Sequence, residues 1–575
     1  MAVTPSVNCN AGGDLQAKID AAGSGATILV KGTCFGNFGI LNKSLTLEGN
    51  PTATLDGNDL GQTLEITATG KAVHLVGLTI TGGTDVSAGG IFSAAAALTL
   101  NKVTVTGNLA ASSTTSAIGG GLFSNTGNVT LTNSAVSANR ALATGSSTVA
   151  LGGGIYVQNG NLTVQGSSIS GNRAAATPSS GSATARGGGI YVVGGVLKVE
   201  ASTLSGNRVS VTAPVSATAQ AAALEHTGGS TTTISGSTFT RNLATASATS
   251  GDGIASKTLM LDATSESVTG SHVTANSVVA RSDGNAEAND AGIFGTTLEV
   301  TASTISGNRA RATGGTQATA SGGGLTGQFL TLTRSTVDGN AVTAVTDSGT
   351  AGASAGGVDG GQQLTMEAST VSRNSVTATT SGTLAEVSGG GTQGPIHATN
   401  STIALNSIEA TSPAQGGESQ AQGAGIYAPF NLSSLLDSTV AGNTTSAAGG
   451  TVEREGGGID ATSANFTLEA TIVANNTAIV GPDCVGGPHS DGHNLVRHVA
   501  GCSFTKKPTD VVGKNPLLGP LASNGGPTQT MAIALTSPAL NAIPAAACAV
   551  ATDQRGVHRP QGPECDIGAY ERKLT

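Results

Sequence analysis

Residues 301–308 read Thr-Ala-Ser-Thr-Ile-Ser-Gly-Asn, and close variants of this phrase recur down the chain. The closing asparagines are Asn108, Asn139, Asn172, Asn207, Asn242, Asn276, Asn308, Asn340, Asn374, Asn406, Asn443 and Asn475, spaced 31 to 37 residues apart. So steady a period marks a repeat architecture. Three positions before each asparagine stands an apolar residue, from Val105 to Ile472, flanked mostly by Ser or Thr. Polar–apolar–polar alternation is strand periodicity, with one side chain in and its neighbours out. A second short strand precedes it, as in Leu162-Thr-Val164, and before that comes Gly-Gly-Gly-Ile-Tyr or a variant, as at 152–156 and 187–191. Helical periodicity is absent. A leucine-rich repeat needs a shorter period, and a propeller blade usually carries larger aromatics. Small inward residues, short strands and a periodic asparagine predict an all-β fold, a right-handed parallel β-helix of about a dozen coils. Each asparagine is expected to take the left-handed conformation of a sharp turn and to bond its equivalent on the next coil, forming a ladder.

The ends break the pattern. Residues 14–22 place Leu15, Ile19 and Ala22 on one helical face, which predicts an N-terminal cap over 1–26. The repeats occupy 27–480. The stretch 481–575 is richer in Pro, loses the asparagine period and is expected to close the other end.

The chain has 575 residues, of which 11% are charged and 2% aromatic, with 85 Gly and no Trp. Low charge argues against a solvated disordered chain. The net charge is −9 and no basic cluster stands out, so nucleic acid is excluded as a partner. No apolar run is long enough to cross a bilayer. Met1 leads straight into Ala2-Val3-Thr4-Pro5 without a signal peptide, and is read as a start placed on a mature chain. Six cysteines, Cys9, Cys34, Cys484, Cys502, Cys548 and Cys565, lie only near the ends. An even, clustered set points to local disulfides and an oxidising compartment. Neighbour pairing is the simplest of the possible connectivities. Cys484, His489, His493 and Cys502 could alternatively supply four zinc ligands.

The order helix, then Ile28-Leu-Val-Lys-Gly-Thr-Cys34, then Leu45-Thr-Leu47 resembles the N-terminal cap of the pectin-lyase-like β-helix superfamily. Near the other end stand Asn515-Pro-Leu-Leu-Gly-Pro-Leu521, Asn524-Gly-Gly-Pro-Thr528, Ser537-Pro-Ala-Leu-Asn541, Asp553-Gln-Arg-Gly556, Arg559-Pro560 and Cys565-Asp-Ile-Gly-Ala-Tyr-Glu571. This string resembles the end of bacterial choice-of-anchor Q domain surface proteins, over roughly the last hundred residues. The resemblance implies export, with display on or release from a bacterial cell surface, and a cysteine pair without metal at Cys484 and Cys502. It implies no catalytic residue.

The column that follows the inward Ile or Leu reads Phe92, Phe123, Tyr156, Tyr191, Glu225, Ala255, Phe294, Thr326, Asp359, Gln393, Tyr427 and Asp460. Facing outward, these would make an aromatic stripe suited to sugar rings; packing beneath loops is the plainer expectation. Tyr156, Tyr191, Glu225 and His226 are the candidate ligand surface. Glu225 and His226 lie where the glycines give way to Ala221-Ala-Ala-Leu-Glu-His226, with Asp252 and Asp290 expected near the same corner. A small acid–base or cation site is one reading of that break, and solvated loop residues the other. Threonine frequents the position four before the asparagine, including 104, 203, 238, 304, 336, 370, 402, 439 and 471, an array that some ice-binding solenoids share. Strand propensity explains it as well. The sequence leans away from an enzyme and calls for no cofactor or metal. Its primary reading is an extracellular structural or adhesive solenoid, with glycans, other surface proteins or its own copies as partners. A carbohydrate-active lyase or hydrolase and a passive glycan or ice binder are the alternatives.

Overall fold

The computed structural model describes residues 4–114, 116–429, 432–462 and 465–573, so Met1 lies outside the described residues. Two compact units are distinguished, Met1–Glu266 with Asn276–Gly284, and Ser267–Ala275 with Asn285–Thr575. Each is a parallel β-solenoid, with about eleven turns between them. Among the described residues the one α-helix, Leu15–Ala21, starts on Asp14, whose carboxylate accepts from the Ala17 amide at 3.0 Å, and buries Leu15 and Ile19.

One coil of the first unit shows how the period arises. Its strands are Ala135–Ser137, Arg140–Ala143, Val149–Leu151, Ile155–Gln158 and Leu162–Gln165. Each pairs in parallel with the same strand of the next coil, Val136 opposite Ile169 and Ile155 opposite Ile190. Inward side chains alternate along every strand: Val136, Ala141, Ala143, Ala150, Ile155, Val157, Leu162 and Val164 are all fully buried. Alanine recurs at the inward positions between the asparagine and glycine corners, as at Ala141, Ala143 and Ala150, and Val209, Val278 and Ile408 fill the same column on other coils.

Turns join the strands, and each connection of this coil holds a left-handed residue: Ala138, Ser147, Gly152, Asn159 and Gly166. At the asparagine corner this is not the asparagine, as the sequence suggested, but the residue before it: Gly107, Ala138, Gly171, Gly206 and Arg241 in the first unit, and Ala275 through Gly442 to Asn475 in the second. The asparagine itself is buried and acts through its amide. Asn139 Nδ2 donates to Asn172 Oδ1 at 3.0 Å and to the Val105 carbonyl at 2.9 Å. Its Oδ1 accepts from the Asn108 amide N–H and Nδ2. All of its side-chain capacity is thereby used without water. The ladder repeats from Asn108 to Asn276 in the first unit and from Asn308 onward in the second.

Asn475 is the exception. It takes the left-handed position (φ 63°), and Asn476 is the rung, accepting from Asn443 Nδ2 at 2.9 Å. Val473, not Ile472, pairs with Val440. The next member is an aspartate: Asn476 Nδ2 donates to Asp483 Oδ1 at 3.0 Å, while Asp483 Oδ2 accepts from the His498 amide at 2.7 Å. An aspartate only accepts, so it closes the ladder without needing a further acceptor.

A second buried ladder runs beside the first and escaped the sequence reading. Ser134, Ser167, Ser202 and Ser237 each follow a left-handed residue, and each hydroxyl accepts the amide of the equivalent residue one coil earlier. In the second unit the column passes through Ser438 to Thr471, so Thr471 belongs here and not to the outward array. It then continues to Asn494 and ends on Asp510, which accepts from the Asn494 amide at 2.8 Å.

Parallel pairing of coils continues past residue 480. Cys484–Gly486, His489–Gly492 and Leu495–Val496 still pair in parallel with the preceding coil. From Gly513 the chain turns back along the outer face of its own unit. Thr370 donates to the Gln529 carbonyl and Thr402 to Gln554 Oε1, both at 2.6 Å, and Thr439 Oγ1 accepts from the Ala569 amide. Ile472 occupies the outward position opposite Thr439 and is buried in a cluster with Ile533, Ile543 and Ile567, which is why an apolar residue stands there. The segment is held by a buried polar knot. Arg559 lies 3.3 Å from both Asp437 and Glu571, and Arg555 pairs with Asp553 at 2.6 Å. Burial pushes the Asp437 carboxyl up to about 7, with Arg559 opposing. The three disulfides are Cys9–Cys34, Cys484–Cys502 and Cys548–Cys565. The two sulfurs a zinc would need at 484 and 502 are bonded to each other.

Candidate functional site

The glycine corner sets the column that carries the candidate residues. A Cβ on Gly153 would meet the Arg173 carbonyl carbon at 2.3 Å and the Gly188 oxygen at 2.5 Å, so glycine lets neighbouring coils touch there. The strand that leaves the corner turns Ile155 inward and Tyr156 outward. Phe123, Tyr156 and Tyr191 therefore stack coil on coil, with ring centroids 5.2 and 5.1 Å apart, and Phe92 meets Phe123 edge-on at 5.5 Å. Ile118 and Leu151 pack against them, and Phe123, Tyr156 and Tyr191 are buried. This is a lateral apolar cluster, not an open stripe. Ala255 is no part of it, for it pairs with Ala219 on the preceding sheet.

Glu225 extends the column opposite Tyr191. It is fully buried and forms an ion pair with Arg186, whose guanidinium also lies 5.3 Å from the centre of the Tyr191 ring. Its Oε2 has no hydrogen-bond partner. Burial pushes the carboxyl up to about 7, against the pull of Arg186 and Lys257. Burial also raises Tyr191 and Tyr156, with Glu225 adding to both.

His226 lies on the other face of the same strand, opposite Val192, and points into the core. Its Nδ1 is 2.7 Å from Thr232 Oγ1 and its Nε2 is 3.0 Å from the Gly194 carbonyl. The carbonyl can only accept, so Nε2 carries the hydrogen, and the neutral ring takes the Thr232 hydroxyl at Nδ1. Burial holds this histidine below its ordinary range. Glu225 and His226 are thus neither a dyad nor solvated loop residues. Asp252 is exposed, and Asp290 belongs to the second unit.

In the second unit the same repeat position reads Asp359, Gln393, Tyr427 and Asp460 on successive coils. Asp359, Gln393 and Tyr427 line a cavity of about 220 Å³ with Gly361, Gly394, Pro395 and Pro429. Burial, and then Asp290, push the Asp359 carboxyl up to about 6. Asp460 is buried and satisfied on one oxygen by the Thr462 amide and hydroxyl. Asp359 and Asp460 stand three coils apart, about 14 Å at the spacing of paired strands. That exceeds the separation of about 5–10 Å that paired carboxylates use in glycoside cleavage. The outward threonines form no unbroken face in this unit, since Thr370, Thr402 and Thr439 are covered. Among the described residues no group of three or more His, Cys, Asp or Glu could hold a metal ion. No family model, curated protein or solved structure matches the chain.

Proposed function

We propose that this chain is an extracellular β-solenoid with a structural or adhesive role, displayed on or released from a bacterial surface, that binds without turning over a substrate. The observation that carries this reading is the fate of the best acid–base candidates. Glu225 is sealed beneath Arg186 and Tyr191, and His226 is spent on two hydrogen bonds inside the core. General acid–base catalysis needs a group within hydrogen-bond reach of the substrate. Three disulfides favour an oxidising compartment. The likeness of the last hundred residues to choice-of-anchor Q proteins supports the bacterial surface.

A carbohydrate-active role is the second reading, and one feature favours it: the cavity of Asp359, Gln393 and Tyr427, where a carboxyl titrating near 6 meets an amide and a phenol. Incubation with a panel of neutral and uronic-acid polysaccharides, reading new reducing and unsaturated ends, separates the two. The expected result is glycan binding without cleavage. Turnover abolished by Asp359→Asn would replace the first reading with the second.

A further inference from the structure

Arg140, Arg173 and Arg208 open the strands that follow the asparagine corner on three successive coils, and they pair Cα to Cα. Their side chains leave the sheet on one face, about 4.8 Å apart at the pitch of paired strands. Leu109 precedes them in the column and Leu243 follows. Arg241 is exposed at the asparagine corner of the next coil.

Like charges stacked across strands cost stability. No carboxylate offsets them: the ion pairs of the described residues involve none of the three. Burial and its two like-charged neighbours pull Arg173 below the ordinary arginine range. The surface beside them is open. Ala138, Gly171 and Gly206 form the floor of a shallow depression of about 500 Å³ walled by the three guanidiniums. A Cβ on Gly171 or Gly206 would meet nothing within 4 Å. Across the corner, Ser137, Ser170 and Ser205 offer half-buried hydroxyls.

We infer that Arg140, Arg173 and Arg208 form a binding site for a linear anionic polysaccharide, carboxylated or sulfated, laid along the stacked coils with one anionic group per guanidinium. This deepens the binding role proposed above and rests on it. The guanidinium fork matches a carboxylate or sulfate by two parallel hydrogen bonds. The coil pitch is close to the length of one sugar residue, so charges that repeat along a glycan can meet charges that repeat along the column. Nucleic acid fits less well. Single strands are held by stacking on aromatic rings, and none lines this depression. Duplexes need a wide basic face, whereas this strip is one residue across in a chain of net charge −9.

Fluorescence anisotropy with end-labelled oligogalacturonate, a dextran sulfate oligomer and oligo-dT tests the site on the full chain. The comparison set is the parent, Arg173→Gln, the triple variant Arg140→Gln/Arg173→Gln/Arg208→Gln, and Arg309→Gln/Arg311→Gln as a control for exposed arginines elsewhere. Thermal melts establish that each variant is folded. The parent is expected to bind at least one glycan with a log–log salt slope of about −2, by counterion release from three contacts. Arg173→Gln should weaken binding several-fold and the triple variant at least tenfold, with the slope falling toward zero and the control unchanged. The preferred glycan identifies the anionic group. Equal binding by parent and triple variant, or no glycan binding by the parent, would overturn the site. Oligo-dT bound as tightly as either glycan would overturn the ligand class. Cleavage of a bound glycan would overturn the non-enzymatic reading and leave the arginine site standing.

Discussion

Glu225 concentrates the electrostatic tension of the first unit, a carboxyl without water and with one oxygen unpartnered. Its folded-state pKa, about 7 against the ordinary 4.5, means that the folded chain holds a proton the unfolded chain has already lost. The contribution of Glu225 to stability is therefore greatest below 4.5 and declines as pH rises to 7, by about 3 kcal/mol at about 1.4 kcal/mol per pH unit. Glu225→Gln removes that dependence. The variant should match the parent in urea unfolding at pH 4 and exceed it at pH 8 by up to about 3 kcal/mol. A variant less stable than the parent at pH 8 would show that the Arg186 ion pair outweighs the buried charge. The opposite faces of Glu225 and His226 were legible in advance, since His226 stands where Val157 and Val192 stand and neighbours on a strand alternate. The burial of Glu225 was not legible, because it depends on Arg186, which arrives from a different sheet.

At the scale of elements, the repeated strands could be read from period and alternation alone, and the corners could not. Two apolar residues and two asparagines stand together at Ile472-Val473 and Asn475-Asn476, so the pattern admits two registers. Packing decides between them, because Ile472 is wanted outside by the returning C-terminal segment. The serine ladder was hidden by abundance: in a chain rich in Ser and Thr, a buried hydroxyl column looks like a solvated one. The return of residues 513–573 has no period to betray it. One of its polar ties is Gln554, whose Nε2 donates to Thr370 Oγ1 and Thr528 Oγ1 at 2.8 Å and whose Oε1 accepts from Thr402. Gln554→Ala strands the Thr402 hydroxyl beneath the segment, while Thr370 keeps its bond to the Gln529 carbonyl, at a cost of about 1–3 kcal/mol for the buried group left unmade. Amide exchange should accelerate over 528–533 and 553–571 while the coil strands of the same unit stay protected. Uniform acceleration across that unit would mean that the segment does not open on its own.

Each unit is built of similar layers, so the ends of its ladders need chemistry that their middles do not. Both buried ladders finish on an aspartate, Asp483 for the asparagines and Asp510 for the serines. Asp483→Asn substitutes a donor where the Asn476 side chain or the His498 amide already donates. The substitution should lower stability by about 1–3 kcal/mol even though it removes a charge that burial disfavours. A urea midpoint at or above the parent's would mean that the charge, not the missing acceptor, dominates. The interior rungs carry a different consequence. Asn139, Asn172 and Asn207 offer their neighbours the same donors and acceptors, although the loops between them differ in length. Unequal recombination in register could therefore delete or duplicate a whole coil and leave every rung satisfied, provided the aspartate remained last. Length is then a trait that a lineage can vary in steps of one coil, with loops diverging freely in each copy, while the terminal aspartates are inherited as a fixed stop.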